Sequence, residues 1–161
     1  MAEELIIPQH LSKEEKYKAL IPQINALVMG ETDLIANLSN IIAALKFSFN
    51  WLWVGIYFVK EEELVLGPFQ GPVACTRIKK GKGVCGTSWL TQKTIIVKDV
   101  DQFPGHIACS SASQSEIVVP VFNKNSEVAL VLDIDIEKLN SFDEIDSSHL
   151  SKITKLIATL L

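Results

Sequence analysis

The order of helical and strand-like segments predicts an α+β domain, an antiparallel sheet of about six strands with helices packed on one face. Three observations lead to this fold class. Helical periodicity occurs at both ends of the chain, the middle is rich in β-branched and aromatic residues, and most strand-like segments are joined by short turns. The other face of the sheet then carries the longer loops, and there we expect a pocket.

Two amphipathic helices are predicted within residues 1–50. Ser12 and Glu15 form a capping-box pattern at the start of the first helix. Thr32 is predicted to cap the second helix, because an apolar stripe at helical spacing follows it. The stripe consists of Leu34, Leu38, Ile41, Ile42 and Leu45.

Residues 51–140 are predicted to form the sheet and its loops. The run WLWVGIYFV indicates a buried strand, and the charged turn that follows it leads into a second strand, LVLGPFQG. The segment KGKGVCGTSWLTQ contains three glycines and reads as a permissive loop with a short stretch that could be helical. The remaining predicted strands are Val73 to Lys79, Thr94 to Lys98, Ile117 to Phe122, and VALVLDID after the turn at Asn123 to Ser126.

A closing helix is predicted within residues 141–161. Ser141 and Glu144 offer a capping box, and an apolar stripe at helical spacing follows them. No linker, repeat or low-complexity segment interrupts the chain, so residues 1–161 are predicted to form a single domain.

Composition and charge argue against several classes of function. The 161 residues are 48% hydrophobic, and 15 Lys and Arg against 19 Asp and Glu give a net charge of -4. No basic block exceeds Lys79-Lys80, so nucleic acid is not an expected partner. The N-terminus MAEELIIPQH lacks the features of a secretory signal, and no apolar run approaches the length of a membrane span. We therefore expect a cytoplasmic protein without a membrane partner.

The three cysteines, Cys75, Cys85 and Cys109, follow the pattern C-x9-C-x23-C and leave three interpretations open. They could be small buried hydrophobic residues, as free cysteines often are. A zinc site that includes His106 is disfavoured, because the sequence has no closely spaced chelating pair. In a redox site, one thiol would attack a substrate and another would then close a disulfide.

The stretch FPGHIACSSASQSEIVVPV places Cys109 in a serine-rich loop that ends at Glu116, the head of an apolar strand. A thiol in an open loop beside a carboxylate on a rigid strand is typical of an active centre. His106 could lie near the thiol and favour the thiolate, or could simply close the turn at Pro104-Gly105. The serines lack a G-x-S-x-G frame and are interpreted as loop hydrogen-bonding residues, and His149 is expected on a helix surface.

Acidic and aromatic residues occur at strand positions that share a face. Asp133 and Asp135 are two apart on the last strand, and Trp53 and Tyr57 are four apart on the first. The acids could be a solvated pair at a strand end, and the aromatic residues could be core. Together with Glu116 they could instead line one pocket for a small cationic or dipolar ligand with an apolar end.

Several segments resemble the free methionine-(R)-sulfoxide reductases, a family built on the GAF fold. The resemblance covers nearly everything from Trp51 to the closing helix. It is carried by WVGIYF (53–58), LVLGPFQGPVACTRI (64–78), GKGVCGTSW (81–89), VKDVDQFPGHIAC (97–109), SQSEIVVPV (113–121) and LDID (132–135). The fold class that the resemblance implies is a GAF-like α+β domain.

The resemblance also implies roles for individual residues. Cys109 corresponds to the cysteine that attacks the sulfoxide, Cys75 to the resolving cysteine, and Cys85 to a third cysteine that shares or relays that role. Trp53 and Tyr57 correspond to the residues beside the sulfoxide methyl and sulfur. Around the polar sulfoxide and the amino-acid head the corresponding carboxylates are Glu116, Asp133 and Asp135, with Glu116 or Asp135 as the proton donor.

The implied activity is the reduction of free methionine (R)-sulfoxide to methionine, through a sulfenic acid and a disulfide that thioredoxin reduces. The resemblance implies no metal and no bound cofactor, and it leaves open whether the protein forms a homodimer. The sequence departs from many family members at Ser110, which stands where they have an acid directly after the attacking cysteine. The alternative is a GAF module without catalysis that senses a small molecule or redox state.

Overall fold

A computed structural model describes residues 4–107 and 109–161. Its centre is a six-stranded sheet in the order β3-β2-β1-β6-β5-β4, in which all neighbouring strands are antiparallel. The strands are β1 (Trp53–Lys60), β2 (Glu63–Gln70), β3 (Arg77–Lys79), β4 (Ile95–Val97), β5 (Ser115–Phe122) and β6 (Val128–Ile136). The helices are α1 (Lys13–Val28), α2 (Leu34–Phe49), α3 (Gly83–Thr91) and α4 (Glu144–Leu160). These elements confirm the α+β class with a GAF fold.

The sheet separates two hydrophobic clusters. On one face, α1, α2 and α4 bury side chains that alternate along the strands, including Val54, Ile56, Leu132 and Ile134. The opposite face packs against α3 and presents Trp53, Tyr57, Val118 and Val131. Because side chains alternate between the faces, Asp133 and Asp135 project to the α3 face, away from the main core. In the part of the chain that the structure describes, no helix is both long and apolar enough to cross a bilayer.

The helix caps follow the sequence only in part. The Ser12–Glu15 capping box is confirmed. The prediction that Thr32 caps α2 is wrong, because the carboxylate of Asp33 accepts the hydrogen bond from the Ala36 N–H at 2.8 Å. An ionised carboxylate is the stronger acceptor at a helix N-terminus, so the residue next to the predicted cap takes the position.

The prediction that Ser141 and Glu144 form the capping box of α4 is also wrong, because the helix begins two residues later. Asp143 is the cap, and Asp146 completes the capping box by accepting from the Asp143 N–H at 2.9 Å. Asp146 is fully buried and also accepts from the Tyr17 hydroxyl at 2.8 Å, so it joins α4 to α1. His149 is not on the surface as predicted, since its ring is buried and stacks on Tyr17 with centroids 5.0 Å apart.

The third strand is shorter than predicted, because residues 73–76 lie outside it. Two carbonyls in and just before this segment accept hydrogen bonds from side chains of β1 in place of a full ladder. Trp53 Nε1 donates to the Pro72 carbonyl at 3.1 Å, and the Tyr57 hydroxyl donates to the Cys75 carbonyl at 2.9 Å. Cys75 therefore lies in an irregular segment that the first strand holds in place.

The glycine-rich segment is more ordered than the predicted loop, because most of it forms helix α3. The absence of a side chain at Gly86 permits this packing, since a Cβ atom there would collide with the carbonyl oxygen of Lys79. Cys85 is consequently fixed on a helix that faces the sheet, so the helical stretch that the sequence allowed is the larger part of the segment.

Candidate active site

One pocket on the α3 face collects most of the residues singled out from the sequence. Its walls come from β1, β5, β6, the first turn of α3 and the loop before β5. Seven of the eight predicted site residues line it: Trp53, Tyr57, Cys85, Cys109, Glu116, Asp133 and Asp135. The eighth, Cys75, joins the site through a covalent bond to Cys109.

Cys75 and Cys109 form a disulfide across the edge of the pocket. Their Cα atoms are 5.5 Å apart, although 34 residues separate them in the sequence. Both residues are partly exposed, whereas Cys85 is buried and carries the free thiol. The structure thus divides the three cysteines into a redox pair near the surface and an interior thiol.

The disulfide also bears on the zinc alternative. With both sulfurs bonded to each other, Cys75 and Cys109 present no thiolate to a metal. The third cysteine, Cys85, faces two carboxyl groups rather than His106. The structure therefore does not assemble the ligand set of cysteines with His106 that was considered from the sequence.

The aromatic wall of the pocket is a stack that begins on β1. The rings of Trp53 and Tyr57 are stacked with centroids 5.9 Å apart, and Phe69 of β2 stacks on Trp53 at 5.4 Å. Gly55 lies between them on the same face, and a Cβ atom at this position would collide with the Trp53 ring. The wall combines an apolar surface with the two hydrogen-bond donors that hold the Cys75 segment.

The acidic wall lies beside the aromatic one on the same face of the sheet, on β5 and β6, where Asp135 pairs with Trp53 and Asp133 with Gly55 across β6 and β1. Glu116 pairs with Asp135 across the two strands, and Asp133 is two residues away on β6. Glu116 and Asp133 are only 5% and 7% exposed, and the Ser113 hydroxyl donates to Asp135. Asp133 Oδ1 has no hydrogen-bond partner among the described residues. Three carboxyls thus converge on a site where no described lining residue is a lysine or an arginine.

Burial shifts the ionisation of these acids toward the neutral form. It raises the pKa of Glu116 and of Asp133 well above the ordinary range, and the neighbouring carboxyls raise both further. The contact between the two raises the pKa of Glu116 and lowers that of Asp133. Burial also raises the pKa of Asp135 to about 6, against the opposing effect of its hydrogen bond from Ser113. Burial and mutual repulsion therefore favour the protonated form of both Glu116 and Asp133, and the pair shares a proton near neutral pH.

His106 closes the turn, which is one of the two arrangements that the sequence left open. Its backbone N–H donates to the Phe103 carbonyl at 3.1 Å, which closes the turn at Pro104-Gly105. Its imidazole Nε2 lies 3.7 Å from Glu116 Oε2 and lines the pocket. Burial lowers the pKa of His106, so the ring is neutral near pH 7 and adds no positive charge beside the thiols.

Two residues at the site were missed by sequence reasoning. Gly55 provides the space that the Trp53 ring occupies, and Ser113 is the donor to Asp135. The alternation of side chains along the strand places Gly55 on the same face as Trp53 and Tyr57, and this was the one feature of the sequence that could have identified it as a site residue. Ser113 is one of several serines in its loop, and nothing in the sequence separates it from the others.

Comparison with known proteins places this architecture in a family. The sequence model described as GAF domain matches residues 30–161. A solved free methionine-R-sulfoxide reductase from Neisseria meningitidis, in complex with its substrate, superposes with a TM-score of 0.95 at 48% identity, covering 99% of this chain and 95% of that one. This chain belongs to the free methionine-(R)-sulfoxide reductase family.

Further relatives match over almost the whole chain. The free methionine-R-sulfoxide reductase of Escherichia coli is 42% identical over 154 residues, which cover 92% of this chain and 93% of the relative. GAF domain-containing protein A of Dictyostelium discoideum is 60% identical over 158 residues, covering 98% and 99%. The family resemblance noted from the sequence is therefore confirmed.

Proposed function

We propose that this protein reduces free methionine (R)-sulfoxide to methionine. The observation that carries the proposal is the Cys75–Cys109 disulfide at the edge of a pocket with one aromatic and one acidic wall. Relatives from Saccharomyces cerevisiae and Escherichia coli, at 41% and 42% identity, bear the name of this reductase. The pocket suits a small ligand that is cationic at one end, dipolar at the other and apolar between them.

The two walls divide the recognition of the substrate. Trp53 and Tyr57 contact the methyl group and the sulfur, because their stacked rings form the apolar side of the pocket. Asp135, the acid with the smallest rise in pKa, binds the ammonium group as a carboxylate. Glu116, whose protonated form is favoured by burial and by the neighbouring carboxyls, donates to the sulfoxide oxygen.

The first chemical step transfers the sulfoxide oxygen to Cys109. A sulfoxide sulfur resists nucleophiles until its oxygen is protonated, and Glu116 supplies that proton. The Cys109 thiolate forms a bond to the protonated sulfoxide sulfur. The hydroxyl group then moves to the Cys109 sulfur as the original sulfur–oxygen bond and the new sulfur–sulfur bond break, and methionine leaves reduced by two electrons. Cys109 retains the oxygen as a sulfenic acid and is oxidised by the same two electrons.

The second step closes the disulfide. The Cys75 thiolate attacks the Cys109 sulfenic sulfur, and the oxygen leaves as water after it takes up a proton. The Cys75–Cys109 bond in the structure corresponds to the product of this step. A dithiol protein of the thioredoxin type then reduces the disulfide by exchange, and no bound cofactor is needed.

The Cys109 thiolate can form beside three carboxyl groups only if some of these groups are protonated and therefore uncharged. Ionised carboxylates near Cys109 would raise the pKa of its thiol, at about 1.4 kcal/mol for each unit. Burial keeps Glu116 protonated, so the same shift that makes it an acid removes one of the opposing charges. A pocket that encloses the ammonium end would also reject methionine sulfoxide inside a polypeptide, because the flanking peptide would have no exit.

The proposal is tested by supplying free methionine (R)-sulfoxide with thioredoxin, thioredoxin reductase and NADPH, and following NADPH oxidation. We expect turnover with the R epimer, none with a peptide-bound sulfoxide, and none in Cys109→Ser. Ser111→Ala, at an exposed position of the same loop, is the matched control and should retain activity. If the sulfoxide binds without NADPH oxidation, the chain is instead a GAF module without this catalysis. If Cys109→Ser keeps full activity, the mechanism with Cys109 as the attacking residue is wrong.

A further inference from the structure

Cys85 occupies a position that the proposed reaction does not use. It lies in the first turn of α3 and is 3% exposed. Its Sγ and one carboxyl oxygen each of Glu116 and Asp133 lie within 4.8 Å of one another. Asp133 Oδ1 lacks a hydrogen-bond partner among the described residues, so this carboxyl depends on few donors. A thiol in such a place can act on the acids rather than on the substrate.

The packing of α3 argues against transfer of electrons by Cys85. Gly86, the next residue, lies against the backbone of Lys79, and this close contact fixes the helix against its neighbours. Cys75 already closes the disulfide with Cys109, and both of those residues are partly exposed. Exchange with a protein reductant requires an accessible sulfur, which Cys85 does not offer.

We propose that Cys85 is a positioning residue: its buried S–H lies beside the Glu116–Asp133 pair, offers a donor to Asp133, whose Oδ1 has no hydrogen-bond partner among the described residues, and so leaves the shared proton to Glu116. This inference rests on the proposed function, in which Glu116 protonates the sulfoxide. The thiol lowers the pKa of Asp133 and so opposes the effect of burial on that carboxyl. Cys85 itself stays a thiol throughout the cycle, because burial and the nearby acids raise its pKa well above the ordinary range.

The groups that face Cys85 decide the consequence of losing this bond. They are the three carboxyls of β5 and β6, and beyond them the neutral imidazole of His106 and the hydroxyl of Tyr57. Without the thiol, Asp133 takes up a proton more readily, and the proton is no longer directed to Glu116. Proton transfer to the sulfoxide slows, while the aromatic wall that holds the methyl group is unchanged.

Two substitutions distinguish the two possible roles of Cys85, as a hydrogen-bond donor or as a thiol that carries electrons. Cys85→Ser keeps a donor of similar size, whereas Cys85→Ala removes it. For Cys85→Ala we expect kcat to fall about tenfold, the effect of one lost hydrogen bond to a charged group, with KM changed by less than about twofold. Its pH profile of kcat should be displaced, and Cys85→Ser should restore both the rate, to within about threefold, and the profile.

A control on the same helix tests for a purely structural effect. Ser88→Ala also removes a buried side-chain donor, whose hydroxyl bonds to the Lys93 carbonyl at 2.7 Å outside the pocket. Ser88→Ala should lower the free energy of unfolding without displacing the pH profile. If Cys85→Ala behaves in the same way, Cys85 only packs and the inference is wrong.

Single-turnover measurements cover the remaining outcome. Both Cys85 variants should release one methionine per enzyme, form the Cys75–Cys109 disulfide and continue to cycle with thioredoxin. If both stall after one turnover, Cys85 carries electrons and the inference is overturned.

An infrared measurement of the protonated carboxyl band of the oxidised protein is independent of turnover. We expect Cys85→Ala to change this band and Cys85→Ser to retain it, whether or not the protein reduces the sulfoxide.

Discussion

The hydrogen bond from Ser113 to Asp135 provides a direct test of how the pocket binds an ammonium group. Ser113 is 9% exposed, and its hydroxyl donates to a carboxyl whose pKa burial has raised to about 6. The bond favours the ionised form, so Ser113→Ala should raise the pKa of Asp135 further. A hydrogen bond to a charged group contributes about 1.5–3 kcal/mol, which corresponds to about one to two pKa units.

The sign of the pH dependence follows from this shift. Asp135 binds the ammonium group only as a carboxylate, so binding strengthens as the pH rises through its pKa. A pKa raised from about 6 to about 7 or 8 lowers the ionised fraction at pH 6.5 by about threefold to 25-fold. Near pH 9 Asp135 is ionised in both proteins, so their affinities for the sulfoxide should converge.

Binding of free methionine (R)-sulfoxide to Cys109→Ser protein, measured by calorimetry between pH 5 and pH 9, isolates this effect. The Cys109→Ser background removes both turnover and the titration of the attacking thiol. Ser111→Ala in the same background is the control, because Ser111 is exposed in the same loop. A Ser113→Ala curve that coincides with the control, or a loss of affinity that is equal at every pH, would refute the assignment of Asp135 to the ammonium group.

Three further substitutions test the redox pair, the aromatic wall and the packing of α4. Cys75→Ser should release about one methionine per enzyme and then stop cycling with thioredoxin, whereas steady turnover would show that another thiol resolves the sulfenic acid. Gly55→Ala should displace the Trp53 ring and raise KM about tenfold or more, and an unchanged KM would remove that ring from the site. Asp146→Ala leaves the Tyr17 hydroxyl unpaired in the core and removes half of the α4 capping box. It should lower the free energy of unfolding by about 2–5 kcal/mol, with kcat unchanged in the folded protein, as urea titration and the NADPH assay would show.

The sequence predicted the face of the sheet on which the site lies, because strand periodicity depends on local alternation alone. The spacing of Asp133 and Asp135, and of Trp53 and Tyr57, was enough to place each pair on one side of its strand. That both pairs meet in one pocket depends on the strand order, which brings β1 beside β6. Strand periodicity could not predict that the two pairs line the same pocket, whereas the family resemblance did.

What the sequence could not provide depends on contacts between distant segments. The pattern of Val73 to Lys79 predicts a strand, but its first half is irregular, held by hydrogen bonds from Trp53 to the preceding Pro72 carbonyl and from Tyr57 to the Cys75 carbonyl. Cys85 reads as a loop thiol between glycines, yet the close packing that Gly86 permits makes its segment a buried helix. In both cases a tertiary contact overrides the local pattern.

The division of the site between regular and irregular backbone matches the two tasks of the proposed chemistry. The acids lie on β5 and β6, which pair with each other and with a further strand on each side, so their burial and their raised pKa values are built into the sheet. Cys75 and Cys109 lie outside the strands, with Cα atoms 5.5 Å apart, within the range that a disulfide allows. One thiol must face first the substrate, then its partner and then an external reductant, whereas the proton donor must face the same oxygen position in every cycle. Any change of geometry between these steps therefore falls on the two cysteine segments and leaves the acid pair in place.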